Sequence, residues 1–148
     1  VIATPGHTLD MLNFYLPQQH VCFTGDTLFA LGCGRIFEGT PEMMWASLEK
    51  LMKLPPETVI YSSHEYTATN ACFAVTVDPD NTALAKRVQV VEALRADNQP
   101  TVPSLLSEEL ATNPFLRAGD PTIRQRLGMS DADDKAVFGE IRARKDNF

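Results

Sequence analysis

The stretch Phe23–Thr40, FTGDTLFALGCGRIFEGT, constrains the fold more than any other part of this chain. An apolar run, Val21-Cys22-Phe23, reads as a strand that feeds into Thr24-Gly25-Asp26-Thr27. The glycine-bracketed loop Gly32-Cys33-Gly34 then delivers Arg35 and Phe37, and Thr40-Pro41 opens a helix with a capping threonine ahead of a first-turn proline. A strand thus ends in a carboxylate beside a loop that presents a cation and an aromatic ring. Functional groups collect on such loops because the strand supplies rigidity and the loop supplies reach. Gly-Asp-Thr alone is also ordinary turn chemistry. Asp26 acquires meaning only from the other strand ends.

Those ends repeat the pattern. Val1-Ile2-Ala3 stops at Thr4-Pro5-Gly6-His7, and Thr58–Ser62 (TVIYS), β-branched and aromatic, runs into Ser63-His64-Glu65-Tyr66. Between them Met11–Leu16 and Val21–Thr24 flank the polar turn Pro17-Gln18-Gln19-His20 and read as a β-hairpin. Met44, Leu48, Leu51 and Met52 recur at helical spacing until Leu54-Pro55-Pro56 ends the helix. Past Tyr66 the strand pattern gives out. Helices are expected over 67–77, from Asn81 to about Asn98 with Leu84, Val88, Val91 and Leu94 on one face, and from Ser104 through Leu110. A further helix runs from Asp120-Pro121 to Gly128, and a last one from about Asp131 to Lys145 buries Val137, Phe138 and Ile141. The reading is α+β: a β-rich part, 1–65, followed by an all-α part, 66–148.

Composition excludes several function classes. The net charge of −6 argues against a nucleic-acid partner. No apolar run approaches the length of a membrane span. Cys22, Cys33 and Cys72 are odd in number and unpatterned, so neither a disulfide framework nor a cysteine zinc site is expected, and a reducing cytoplasm fits best. The first residue, Val1, falls inside a strand pattern, which reads as a fragment or a processed product.

Three strands therefore terminate near His7, Asp26 and His64. Two imidazoles and a carboxylate suit a borderline metal such as zinc. His20, in its polar turn, has no such context and reads as a solvated residue, and Cys33 reads as a small residue in a tight loop.

Together, Thr4-Pro5-Gly6-His7-Thr8, Phe23–Phe29, Gly32–Thr40 and His64-Glu65-Tyr66-Thr67 resemble glyoxalase II, the hydroxyacylglutathione hydrolases of the metallo-β-lactamase superfamily. Asn113-Pro114-Phe115-Leu116-Arg117 and the terminal Arg142–Phe148 extend the resemblance over the helical part. TPGH and TGDT speak only for the superfamily; the GCGRIFEGT loop with the basic C-terminal signature is specific to glyoxalase II. The resemblance implies the C-terminal half of an αββα sandwich followed by a helical glutathione-binding domain. It implies that His7 and His64 each ligate one of two divalent metal ions, with zinc expected and iron or manganese compatible, and that Asp26 bridges them. It implies hydrolysis of S-D-lactoylglutathione to glutathione and D-lactate by a hydroxide held between the metals, with Arg35, Phe37, Tyr66, Arg142 and Lys145 holding the glutathione moiety.

Two departures accompany it. Leu9-Asp10-Met11 stands where the family usually has a residue followed by Gly-His. The family's T-H-x-H-x-D-H segment, with the remaining ligands, has no counterpart in this chain, so the expectation is inactivity in isolation and a sheet face that needs the missing segment or another chain to cover it. The alternatives are a mononuclear-iron persulfide dioxygenase and a non-catalytic glutathione-binding remnant.

Overall fold

Alternation of apolar side chains builds the sheet, and a computed structural model describes all 148 residues of the chain. Strand β1 (Ile2–Ala3) pairs antiparallel with β2 (Leu12–Leu16), and β2 with β3 (Val21–Gly25). A single 3-10 turn over Pro17–Gln19 joins β2 to β3, and His20 closes it in the left-handed region at φ 51°. Two short strands, β4 (Leu28–Phe29) and β5 (Gly32–Cys33), then form a hairpin of their own. The loop expected around Gly32-Cys33-Gly34 is in part this hairpin, whose strands are too short for a period to be read.

Helix α1 (Pro41–Met52) begins as expected: the Thr40 hydroxyl accepts from the Met43 N–H at 3.3 Å. It carries the chain over the sheet so that β6 (Val59–Ser62) can lie parallel to β3, the connection that a parallel pair requires. Helices α2 (Thr67–Val77) and α3 (Thr82–Ala96) follow, the second capped by Asn81. The strands do not end at Tyr66. Ser104–Leu105 forms β7, antiparallel to β6, and the helix expected to open at Ser104 opens at Leu106 as α4 (Leu106–Thr112). The sheet order is β1-β2-β3-β6-β7. Helix α5 (Pro121–Leu127) is capped by Asp120 and stopped by Gly128 at φ 71°. The last helix, α6 (Asp134–Asp146), starts three residues later than expected because Asp133 supplies its cap, accepting from Ala136 N–H at 2.8 Å.

One apolar core ties the two parts together. Cys22 and Ile60 of the sheet, Met44 and Leu48 of α1, Phe73 of α2, and Phe138 and Ile141 of α6 belong to a single buried cluster. Trp45 meets Phe138 with ring centroids 5.7 Å apart, so α6 lies against α1 and brings the C-terminal cations toward the strand ends. The opposite sheet face is bare. Phe14, Phe23 and Tyr61 stand in register across β2, β3 and β6 and are 50%, 45% and 41% exposed, with Leu12, Leu16 and Leu105 on the same face also exposed. No helix is long and apolar enough to cross a membrane.

Candidate active site

The site begins with a distortion in β3. Its pairing with β6 shifts register between Phe23 and Gly25, and Gly25 turns left-handed at φ 50°. The Thr27 N–H then closes a tight turn on the Thr24 carbonyl at 2.9 Å, so Asp26 projects from the end of the strand. Gly34 lies directly against this turn. A Cβ at that position would fall 1.9 Å from the Asp26 carbonyl oxygen, so only glycine permits the approach.

The structure brings His7, Asp26 and His64 together. His7 Nδ1 lies 2.8 Å from the Arg35 carbonyl oxygen and donates to it, so that Nε2 is the nitrogen that faces Asp26. Nε2 of His7 is 3.5 Å from Asp26 Oδ2, whereas Nε2 of His64 is 3.2 Å from Oδ1. No set of three His, Cys, Asp or Glu side chains closes into a cage around one ion. Each imidazole instead addresses a different oxygen of one carboxylate, the donor arrangement that suits two ions sharing a bridge. The Ser63 hydroxyl donates to the same Oδ1. His64 is stacked on Tyr66 at 4.7 Å, and Phe29 meets both rings edge-on at 5.9 and 5.5 Å. Phe37 covers His7 at 4.9 Å.

These residues form one end of a cavity of about 580 Å³. Three cations, Arg35, Arg142 and Lys145, stand on its other walls. Arg35 is mostly exposed, its Nε 4.0 Å from Asp146 Oδ1. Arg142 is buried: Nη1 donates to the Cys33 carbonyl at 2.9 Å, Nε and Nη2 donate to Asp146, and the guanidinium lies over the Phe115 ring at 5.1 Å. Lys145 lies over Phe73 and Phe148 at 5.6 and 5.3 Å. Burial, reinforced by the charges of Arg142 and Arg35, holds its ammonium below the ordinary 10.5. Burial pushes the Cys33 thiol up to about 11, against the pull of Arg142. A thiol so held stays protonated, and Cys33 serves as a small packed group.

All of Arg35, Phe37, Tyr66, Arg142 and Lys145 line this cavity with the three candidate ligands. Sequence reasoning passed over Phe29, Thr69, Asn70 and Asp146. Asn70 stands one turn along α2 from Tyr66, a spacing that could have been read. Phe29 and Asp146 carry no local signal. His20 lies elsewhere, exposed, 3.6 Å from Glu57.

Comparison with known proteins identifies the family. Residues 65–148 match the family model described as hydroxyacylglutathione hydrolase C-terminus, and residues 1–64 match that of the metallo-beta-lactamase superfamily. The chain is 60% identical over 148 residues to proteins named hydroxyacylglutathione hydrolase from Brucella ovis and Brucella abortus, covering 100% of this chain and 58% of each relative. It thus spans a little over half the length of those relatives. Among solved structures, ETHE1 from Myxococcus xanthus aligns over 96% of this chain and 43% of its own, with a TM-score of 0.57 at 23% identity, a likeness of fold. The di-iron-bound form of TTHA1623 aligns over 77% of this chain and 40% of its own, with a TM-score of 0.50 and 27% identity. On these matches, the chain belongs to the hydroxyacylglutathione hydrolase (glyoxalase II) family, within the metallo-β-lactamase superfamily.

Proposed function

We propose that the protein carrying this chain hydrolyses the thioester of S-D-lactoylglutathione, giving glutathione and D-lactate, in the cytoplasm. The observation that carries the reading is the Asp26 carboxylate. Its two oxygens face two different imidazole nitrogens, at the end of a cavity whose other walls carry Arg35, Arg142 and Lys145. His7, Asp26 and His64 fit a pair of divalent ions, zinc expected, because the Arg35 carbonyl fixes the tautomer of His7 and frees its Nε2. Bound there, the ions would supply a nucleophilic hydroxide at neutral pH and a Lewis acid for the carbonyl oxygen.

The chain's own residues do the rest. Glutathione carries two carboxylates, and Arg35 and Lys145 are the cations with donors toward the cavity that suit them. Arg142, already bonded to Cys33 and Asp146, would shape the wall between them and add its charge to the field. Tyr66 and Phe37 would flank the substrate and keep water from the imidazoles they cover. Binding the remote peptide in this way holds the thioester over Asp26, which is how positioning lowers a barrier. Glutathione then leaves as its thiolate.

Grafting this chain in place of the matched 148 residues of the Brucella ovis relative tests the proposal. The chimera is expected to hydrolyse S-D-lactoylglutathione, and Asp26→Ala within it to abolish turnover. A chimera that binds glutathione without turnover would favour a non-catalytic remnant. One that holds a single iron and oxidises a persulfide would favour the dioxygenase.

A further inference from the structure

Outside the three candidate ligands, one side chain donates a hydrogen bond to Asp26, and it is Ser63. No backbone N–H reaches this carboxylate, which is unusual for a group meant to hold a fixed plane. The torsion that rotates an aspartate carboxylate is soft and broad, so its orientation depends on what its oxygens touch. His7 and His64 approach its two oxygens with unprotonated nitrogens whenever they are free to ligate, and such nitrogens cannot donate to a carboxylate. Only the serine hydroxyl is left to orient it.

The placement of Ser63 follows from the strand register. It is the first residue after β6, and its own N–H donates to the Gly25 carbonyl at 3.2 Å, which continues the β3–β6 ladder past the distortion. Its Oγ lies 3.0 Å from that same carbonyl and also within reach of Asp26 Oδ1. A hydroxyl has one hydrogen and here two acceptors. It can donate to Asp26 Oδ1 while that oxygen's other lone pair stays available to a cation, and the Gly25 carbonyl keeps the hydroxyl close to the carboxylate.

We infer that Ser63 is a positioning residue for divalent-metal binding: it fixes the plane of the Asp26 carboxylate so that one oxygen faces each histidine. This rests on the metal reading proposed above. Outer-shell partners of this kind set ligand orientation, and their removal typically weakens metal binding about tenfold to a hundredfold. Ser63 is exposed, so its side chain can be trimmed without opening the core.

The test is a Zn²⁺ titration of the chimera with the Brucella ovis relative described above, followed by NMR of the His7 and His64 ring resonances, with far-UV circular dichroism to establish the fold. Ser63→Ala is expected to raise the dissociation constant about tenfold or more, and Ser63→Thr, which keeps the hydroxyl, to remain within about threefold of the parent. Asp26→Ala in the chimera is expected to weaken binding more than Ser63→Ala does. If Ser63→Ala binds zinc as tightly as the parent chimera while Asp26→Ala binds it more weakly, the role of Ser63 is overturned and the metal reading stands. If the parent chimera shows no saturable shift at either ring, the metal reading fails and the inference falls with it.

Discussion

Lys145 shows how a single side chain can report on ligand binding. Burial first, then the charges of Arg142 and Arg35, lower its pKa from 10.5. The folded state therefore holds this proton less tightly than the unfolded chain does. The cost of carrying the charge is present below the lowered value and vanishes as pH rises through it, so Lys145 makes folding more favourable as pH climbs toward 10.5. A carboxylate ligand works the other way, favouring the ammonium. Glutathione affinity should fall as pH rises through the lowered value, and Lys145→Met should flatten that part of the profile. Calorimetry on both proteins across alkaline pH checks this; identical profiles would contradict it. Arg35→Ala removes a more exposed cation, whose contribution solvent screens, and a loss of about tenfold in glutathione affinity is expected. The convergence of His7, Asp26 and His64 was legible, because each lies beside a strand end that the residue pattern reveals. Ser63 and Asp146 were not, since their roles arise from contacts such as Asp146 with Arg35 that no local pattern encodes.

At the scale of elements, the β4–β5 hairpin depends on the helices beyond it. Its turn places Leu31 in the left-handed region at φ 57°, and the Leu31 N–H donates to the buried carboxylate of Glu109 at 2.9 Å. Asn113 donates to the Phe29 and Gly32 carbonyls at 3.2 and 3.0 Å, and Asn70 donates to Ala30 O at 3.1 Å. Arg87 of α3 pairs with Glu109 and completes the clasp. Arg87→Met would leave a fully buried carboxylate without its partner charge, and a loss of about 3–5 kcal/mol is expected in urea unfolding. Wild-type stability in that variant would contradict the role. Gly34→Ala should act more locally, because its Cβ cannot share space with the Asp26 carbonyl. Zinc-induced shifts at His7 and His64 should weaken while the far-UV spectrum persists. The longer helices were legible through their caps, at Thr40, Asn81 and Asp120. The two-residue strands β4, β5 and β7 were not, because pairing with distant partners defines them and two residues show no period.

For the molecule as a whole, the bare sheet face and the cationic cavity are the two surfaces that matter. Leu12, Phe14, Leu16, Phe23, Tyr61 and Leu105 form a continuous apolar face, and such a face drives association in water. The 148-residue chain should self-associate in analytical ultracentrifugation, and Phe14→Lys with Phe23→Glu should return it to a monomer; a monomeric parent would contradict this. On the proposed reading, three ligands would hold a metal pair incompletely, so the isolated chain with added zinc should lack robust turnover of S-D-lactoylglutathione. The mixed α and β class was readable from periodicity. The single core that joins α1 to α6 was not, because it depends on which helix faces meet. The central claim is that the cations of the C-terminal helix and the ligands at the strand ends form one glutathione site. Titrating glutathione into the chain by NMR tests it most directly. The account predicts saturable shifts at Lys145, Tyr66 and His64 together, with those at Tyr66 and His64 lost in Arg35→Ala combined with Lys145→Met; shifts confined to one end of the cavity, or unchanged at Tyr66 and His64 in that variant, would contradict it.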